Sequence, residues 1–180
     1  MSRLKKGDLV PDLIFHTQDR EFQHIYDVLE GTTIFWVLRY IGCTVCRFDV
    51  EQLIRRYGEF QAKGAQVYVV MQSGRETVRR DLEGKKIPFE IICDEKQEFY
   101  QAFDVEPAVS KEQLIDSAGE KFRRKKAAAA AEGLVHGDYE GDELQLPAVF
   151  FVDESGGVLY AKYGENITDV PTIDEMLAML

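Results

Sequence analysis

The strongest constraint on this chain is one stretch in which an apolar strand leads directly into a helix that carries two thiols. Residues Thr33–Leu38 form a continuous apolar, β-rich run, typical of a strand that is buried on both faces. Gly42 breaks this run, and from Phe48 onward apolar residues recur at helical spacing. The pattern therefore places Cys43 and Cys46 at the N-terminus of a helix.

Thiols at a helix N-terminus have a distinct chemistry. Unpaired backbone N–H groups and the positive end of the helix dipole stabilise a thiolate, which lowers the thiol pKa and gives a nucleophile at neutral pH. Two residues on the same turn hold their Cβ atoms about 5–6 Å apart, near the spacing that a disulfide requires. Gly42, Cys43, Thr44 and Cys46 thus predict a redox-active pair, with Thr44 contributing through its backbone N–H and its bulk.

Two other interpretations of these thiols are open from the sequence. A structural zinc site needs four ligands, and the remaining candidates are Cys93 and three histidines, none of them in paired spacing. The two thiols could instead be small core residues, although a strand-to-helix junction at the carboxyl edge of a sheet is where α/β folds place their sites. Cys93 lies within an apolar strand, which predicts a buried core thiol rather than a resolving cysteine. We expect no metal and no organic cofactor.

Composition limits the class of protein but leaves the reaction open. The 180 residues are 45% hydrophobic, enough for one domain with its own core. The net charge of −10 disfavours nucleic acid and anionic membranes as partners. No apolar run approaches the ~18 residues of a membrane span, and the basic N-terminal residues lack the apolar stretch of a signal peptide. We expect a single domain over residues 1–180 in a reducing cytoplasm.

Strands and helices alternate along most of the chain, which predicts a layered α/β sheet. The strand before the cysteine helix and the strand after it form one crossover unit of a parallel sheet. In chain order, the predicted elements are an early strand or hairpin to about residue 22, a turn of helix at 25–29, the central strand, the cysteine helix to residue 62, a strand at 65–71, a helix at 75–82, a strand at 89–94, a helix at 95–103, a β-hairpin at 147–163 and a helix at 172–180.

Residues 107–143 interrupt this alternation. Val109–Glu132 has apolar residues at helical spacing followed by a basic quartet and five alanines, which predicts one long insertion helix. The basic quartet, Arg123–Lys126, is either an anion-binding patch or a solvated helix face, and charge runs are more often solvated faces. The acidic, glycine-containing loop up to Glu143 is predicted to be mobile and close to the surface.

This order of elements resembles the thioredoxin fold, and more closely its peroxiredoxin branch, the alkyl hydroperoxide reductase and thiol-specific antioxidant (AhpC/TSA, redoxin) family. The resemblance covers about residues 7–106 and 144–180, with 107–143 as an insertion. It implies an α/β, thioredoxin-like fold with a central mixed β-sheet flanked by helices and a helical insertion before the late β-hairpin. The segments that carry it are the thiols at the first crossover helix, Gly7–Leu13, Gly64–Ser73, Ile87–Asp94 and the run from Leu146 to Gly157.

The resemblance also implies roles for individual residues. A gapless placement of the family motif Pro-x-x-x-Thr-x-x-Cys puts Cys46 on the peroxidatic cysteine, Cys43 on the threonine and Arg39 on the proline. The family arginine that polarises the peroxide is replaced by Leu146-Pro147, and Arg39, at the carboxyl end of the strand, is the nearest substitute. Pro147 fits the position of the proline that thioredoxin folds usually hold as a cis residue against the redox pair.

A Cys-x-x-Cys in place of Thr-x-x-Cys leaves dithiol chemistry intact, so the resemblance implies a thiol-dependent oxidoreductase. As a peroxiredoxin-like antioxidant it would reduce a hydroperoxide, with Cys46 attacking and Cys43 closing the disulfide. As a thioredoxin-type enzyme, Cys43, expected to be the more exposed thiol, would attack a disulfide and Cys46 would resolve it.

Both versions need an external dithiol electron donor, either a thioredoxin-like protein or a small thiol. Relatives of this kind are often dimers, so the resemblance is compatible with a homodimer. The alternative is a redox-sensing or interaction module, in which residues 107–143 present a partner surface and the dithiol switches without turnover. Steady consumption of peroxide or disulfide would distinguish the enzyme from the switch.

Overall fold

A five-stranded mixed β-sheet lies at the centre of the computed structural model, which describes residues 2–180. Met1, the first residue of the predicted domain, lies outside the described residues. In chain order the strands and helices are β1 (Ile14–Phe15), β2 (Gln23–His24), α1 (Ile25–Val28), β3 (Thr32–Val37), α2 (Thr44–Gln61), β4 (Ala65–Met71), α3 (Arg75–Asp81), β5 (Glu90–Cys93), α4 (Glu98–Ala102), α5 (Lys111–Leu114), α6 (Gly119–Ala131), β6 (Ala148–Val152), β7 (Val158–Tyr163) and α7 (Ile173–Ala178).

The strand order of the central sheet is β5-β4-β3-β6-β7, so β3 is the middle strand. β3 pairs in parallel with β4, and β4 with β5, while β6 and β7 add to the other side as antiparallel strands. β1 and β2 form the separate early hairpin. The predicted α/β architecture, a mixed sheet flanked by helices, is confirmed.

β3 separates two hydrophobic cores because both of its faces are buried. Ile34 and Trp36 belong to the core that contains the buried residues of α2 and α7, whereas Phe35 and Val37 belong to the core that contains Phe99 of α4. Side chains alternate between the two faces of a strand, so a strand covered on both faces needs apolar residues at every position. This explains the continuous apolar run, and it places the cysteine helix over the Trp36 face.

The insertion differs from the single long helix that the sequence predicts. α5 ends at Leu114, a short 3-10 turn covers Asp116–Ala118, and α6 begins at Gly119, whose φ of +57° is left-handed. A left-handed residue cannot continue a right-handed helix, so the glycine divides the insertion in two. α6 packs on α2, where Lys125 Nζ lies 2.6 Å from Asp49 Oδ2.

The other residues of the basic quartet, Arg123, Arg124 and Lys126, are exposed. The quartet is therefore mainly a solvated face, with one ion pair to α2. The acidic loop after α6 lies near the surface, as predicted, but hydrogen bonds tie it to the carboxyl end of the sheet.

α4 begins three residues later than predicted, for a local reason. The carboxylate of Asp94 accepts hydrogen bonds from the backbone N–H groups of Glu98 and Phe99, at 3.0 and 2.8 Å. The intervening residues form a turn in which Gln97 has a φ of +58°. Asp94 therefore satisfies the first N–H groups of the helix from the end of β5.

Within residues 2–180, none of the helices combines the length and the apolar character that crossing a membrane requires.

Candidate active site

Cys43 and Cys46 lie at the point where the chain leaves β3 and begins α2. Cys43 is the N-cap residue of α2, with φ −67° and ψ 121°, and its Sγ accepts a hydrogen bond from the backbone N–H of Cys46 at 3.4 Å. The Cys46 thiol donates to Cys43 Sγ across 2.7 Å. Both residues are free thiols, and their sulfur atoms are already in contact. A disulfide between them requires only a small displacement.

Arg39 brings a fixed positive charge to this pair. Its Nη2 lies 3.2 Å from Cys43 Sγ, and its Nη1 donates to the backbone carbonyl of Glu143 at 2.8 Å. The side chain of Arg39 is only 11% exposed, so solvent screens its charge weakly. The guanidinium thus faces the sulfur of Cys43 while a distant segment of the chain holds it in place.

The two thiols differ in acidity because their surroundings differ. Burial raises the pKa of Cys43, but the hydrogen bond from the Cys46 thiol and the charge and hydrogen bond of Arg39 outweigh it, and the pKa falls to about 6. At Cys46, burial, the hydrogen bond to Cys43 and the negative charge of Cys43 together raise the pKa well above its ordinary value. Near neutral pH, Cys43 is therefore the thiolate and Cys46 the protonated thiol.

Neither thiol is exposed, since the exposed fraction is 0% for Cys43 and 3% for Cys46. The expectation that Cys43 would be the more exposed thiol is wrong. The loop after α6 covers the two thiols, and we call residues 136–143 of this loop the strap. The strap lies across the loop between β3 and α2, where the backbone N–H of Gly137 donates to the carbonyl of Gly42 at 2.8 Å.

Gly42 is required by this close approach. A Cβ atom added to Gly42 would lie 2.2 Å from the carbonyl oxygen of Asp138 and 2.8 Å from the carbonyl carbon of Gly137. Only a glycine allows the strap to rest directly on the backbone beside Cys43. Thr44, the first residue of α2, is half-buried in the same turn.

Pro147 is buried and immediately precedes β6. Residues 2–180 contain no cis peptide bond, so the expectation that Pro147 would be a cis residue is wrong. The trans form is the lower-energy form of an X-Pro bond by about 0.5–1 kcal/mol. In this conformation the carbonyl of Pro147 accepts a hydrogen bond from the backbone N–H of Gly164 at 2.9 Å. Its role beside the redox pair stays a prediction.

Cys93 is 9% exposed on β5, where its thiol donates to the carbonyl of Ile91 at 3.5 Å. Burial raises its pKa to about 12, so this thiol is protonated at neutral pH. In the part of the chain that the structure describes, no group of three or more His, Cys, Asp or Glu side chains is arranged to hold a metal ion.

Sequence reasoning missed three neighbours of the site, Gln72, His136 and Glu143. His136 belongs to the loop that is predicted to lie close to the surface, and it is exposed, but its Nε2 lies 3.0 Å from the Tyr40 hydroxyl. The pairing of β6 in the sheet explains why these residues lie at the site. β6 pairs antiparallel with β3, and Ala148 lies opposite Val37. The loop that leads into β6 must therefore reach the carboxyl end of β3, where the thiols are.

Sequence comparison gives one family and several relatives. The model of the AhpC/TSA family matches residues 7–161. Two curated relatives carry the name prostamide/prostaglandin F synthase. The Xenopus tropicalis protein is 28% identical over 130 residues, which cover 71% of this chain and 62% of that protein. The Danio rerio protein is 26% identical over 153 residues, which cover 84% of this chain and 75% of that protein. The chain thus spans less than two thirds of the Xenopus relative.

Solved structures share the fold at low sequence identity. A peroxiredoxin-like protein from Aquifex aeolicus has a TM-score of 0.66 at 17% identity, covering 99% of this chain and 87% of that one. AhpC from Enterococcus faecalis has a TM-score of 0.69 at 14% identity, covering 99% of this chain and 91% of that one. The predicted thioredoxin-like fold of the peroxiredoxin type is confirmed.

Proposed function

Because the chain belongs to the AhpC/TSA family, we propose that it is a thiol-dependent oxidoreductase in which Cys43 is the attacking thiolate and Cys46 the resolving thiol. One observation carries the choice between the two thiols. The Arg39 guanidinium and the Cys46 thiol both donate hydrogen bonds to Cys43 Sγ, at 3.2 and 2.7 Å. This order is the reverse of the one implied by placing the family's peroxidatic cysteine on Cys46.

With a hydroperoxide, Cys43 Sγ attacks the terminal oxygen, the O–O bond breaks, and the other oxygen leaves as an alcohol or water after taking up a proton. Cys43 becomes a sulfenic acid. The Cys46 sulfur then attacks the Cys43 sulfur, which forms the disulfide and releases water. Arg39 Nε is buried and has no hydrogen-bond partner within residues 2–180, which leaves a donor for a peroxide oxygen.

With a disulfide substrate, the same thiolate attacks one sulfur atom and releases the other as a thiol. The resulting mixed disulfide involves Cys43, and Cys46 resolves it by forming the Cys43–Cys46 disulfide. In both reactions the chain loses two electrons per turnover. The proposal therefore includes an external dithiol donor, of the thioredoxin type or a small thiol, and a reducing compartment such as the cytoplasm. We also propose that residues 1–180 form one domain, and a homodimer is compatible with this function.

A substrate with an apolar body is a second candidate, favoured by one cavity. The cavity has a volume of about 350 Å³ and lies between α2, α6 and the residues before α7. Trp36, Phe48 and Ile173 give it apolar walls, and Lys121 and Arg124 lie at its rim. The relatives named prostamide/prostaglandin F synthase agree with such a substrate. Comparing kcat/KM for cumene hydroperoxide and hydrogen peroxide tests this candidate, and equal values would contradict it.

Trapping of the sulfenic acid tests the main proposal. The variants Cys46→Ser, Cys43→Ser and Cys93→Ser receive one equivalent of hydrogen peroxide with dimedone, and mass spectrometry locates the adduct. We expect Cys46→Ser, which keeps a hydroxyl donor, to form the adduct on Cys43 at nearly the wild-type rate. Cys43→Ser should react about 100-fold more slowly, because the remaining Cys46 thiol is protonated. Cys93→Ser is the control and should behave as the wild type.

A fast reaction of Cys43→Ser together with a slow reaction of Cys46→Ser would reverse the two roles. Turnover is measured separately with dithiothreitol as the electron donor. Stoichiometric oxidation without turnover would instead support the redox-switch alternative.

A further inference from the structure

We propose that in the reduced chain, whose free thiols the structure shows, the strap, residues 136–143, is a gate that admits small oxidants to Cys43 and excludes the disulfides of folded proteins. The inference rests on the proposed function in one respect, that Cys43 is the reacting thiolate. Cys43 is fully buried, so a reaction requires some part of the cover to move.

The near end of the strap closes the site. Gly137 donates to the carbonyl of Gly42 at 2.8 Å, and His136 Nε2 lies 3.0 Å from the hydroxyl of Tyr40. Asp138 Oδ2 lies 2.8 Å from Arg80 Nη2 on α3. These contacts fix the strap over the residue that immediately precedes Cys43.

The far end of the strap has separate attachments. The backbone N–H of Asp142 donates to Gln72 Oε1 at 2.8 Å, and the carbonyl of Asp142 accepts from Gln72 Nε2 at 3.2 Å. The next residue, Glu143, holds Arg39 through its carbonyl. Gln72, just beyond the end of β4, is 1% exposed, so the far end is attached to a buried side chain, whereas Asp138 and Tyr139 of the near end face solvent. The far end therefore positions Arg39, and the near end controls access.

The near end can open without unfolding the chain. Tyr139 is 69% exposed, and the side chains of the Arg80–Asp138 pair are 57% and 59% exposed. Opening the near end breaks one exposed ion pair, Arg80–Asp138, and the hydrogen bonds of His136 and Gly137, and so few contacts break locally at a lower free-energy cost than global unfolding. The hydrogen bonds between the buried Gln72 side chain and Asp142 keep Arg39 in place during such an opening.

Selectivity by size follows from where the strap rests. The Gly137–Gly42 hydrogen bond uses the backbone carbonyl beside Cys43, so a protein substrate could not approach Cys43 from this side without displacing the strap. A folded partner must displace the whole segment, including the far end that Gln72 holds. A small peroxide needs only the opening of the near end.

Alkylation of the reduced chain tests the gate without requiring turnover. The double variant His136→Ala/Asp138→Ala removes two exposed side chains of the near end, and His24→Ala/Asp116→Ala removes the same residue types elsewhere as a matched control. The rates for Cys43 are measured by mass spectrometry with iodoacetamide and with a polyethylene glycol maleimide.

We expect the wild type and the control to react slowly and to discriminate strongly against the large reagent. The near-end variant should react about tenfold faster with iodoacetamide, because two hydrogen bonds that oppose opening are lost. Its gain with the large reagent should be greater.

A second readout separates gating from simple loosening of the structure. The pH midpoint of alkylation should stay at the wild-type value in the near-end variant and rise in Gln72→Ala, which loosens the hold on Arg39. Equal alkylation rates in the wild type and the near-end variant, or equal gains for the two reagents, would overturn the gate. If the near-end variant alkylates faster but no form of the chain turns over peroxide or disulfide, the gate stands and the proposed function fails.

Discussion

Cys43 and Cys46 share one helical turn, yet the structure favours opposite protonation states for them. The difference arises from the direction of two hydrogen bonds, because the Arg39 guanidinium and the Cys46 thiol both donate to Cys43 Sγ. A buried charge interacts strongly with its neighbours, so one guanidinium at 3.2 Å has a large effect on the thiol. The acidity of Cys43 should therefore depend on Arg39.

Replacement of Arg39 tests this dependence. In the wild type the thiolate forms as pH rises through about 6, so the alkylation rate should rise up to that pH and then level off. Arg39→Gln removes the charge and should move the midpoint upward by about 1–3 pH units, the usual effect of an opposite charge. At pH 7 the variant should react about tenfold more slowly, and at high pH the two rates should converge.

The measurement is the iodoacetamide rate of Cys43 as a function of pH. Arg123→Gln, on the exposed face of α6, is the matched control and should keep the wild-type profile. An unchanged midpoint in Arg39→Gln would show that the charge of Arg39 does not set the acidity of Cys43.

At the scale of single elements, α2 joins the redox site to the core. Its start is fixed by Cys43 as N-cap, and its end is followed by Gly64, whose φ of +71° turns the chain into β4. Gly58 lies inside α2 on an exposed turn, and neither Gly58 nor Gly64 has an atom within 4 Å of an added Cβ. The two glycines therefore differ in backbone conformation rather than in available space.

The two alanine substitutions should have opposite signs. Gly58→Ala should raise the free energy of unfolding by up to about 1 kcal/mol, because alanine is the better helix former. Gly64→Ala should lower it by about 1 kcal/mol, since a Cβ is strained in the left-handed region. Urea denaturation of the two variants and the wild type checks both values. A loss of stability in both variants would mean that α2 does not tolerate a side chain at Gly58.

At the scale of the molecule, the central sheet separates the core beneath the redox site from a second, aromatic core. Phe99 and Phe103 stack there with ring centroids 4.0 Å apart and planes 8° apart, and both residues are fully buried. Cys43 and Cys46 belong to the other core. Its contribution should be to stability and not to the acidity of the thiols.

Phe103→Ala separates these two contributions. The lost aromatic ring leaves a cavity, and we expect the free energy of unfolding to fall by about 3–5 kcal/mol. The pH midpoint of Cys43 alkylation should not change in the folded variant. Phe22→Ala, at a side chain that is 73% exposed, is the control and should cost less than about 1 kcal/mol. A shifted midpoint in Phe103→Ala would show that the two cores are coupled.

Local pattern alone was enough to predict most of the strands and helices, a layered α/β sheet and the two thiols at the start of a helix, whereas the mixed sheet was implied by the family resemblance. A buried strand, a chain-breaking glycine and a helical repeat are each encoded within a few residues, so they can be read without knowledge of the fold. The break in the insertion helix was missed because Gly119 lies within a run of helix formers, and only its left-handed conformation ends the repeat.

The acidity and the burial of Cys43 depend on contacts between residues far apart in the sequence. Arg39 lies 104 residues from Glu143, which holds it, and Tyr40 lies 96 residues from His136. No periodicity or spacing encodes such pairs. They form because β6 returns beside β3 and brings the loop before it to the carboxyl end of the sheet. The sequence therefore marked the redox pair, whereas only the folded chain distinguishes its two thiols and covers them with the strap.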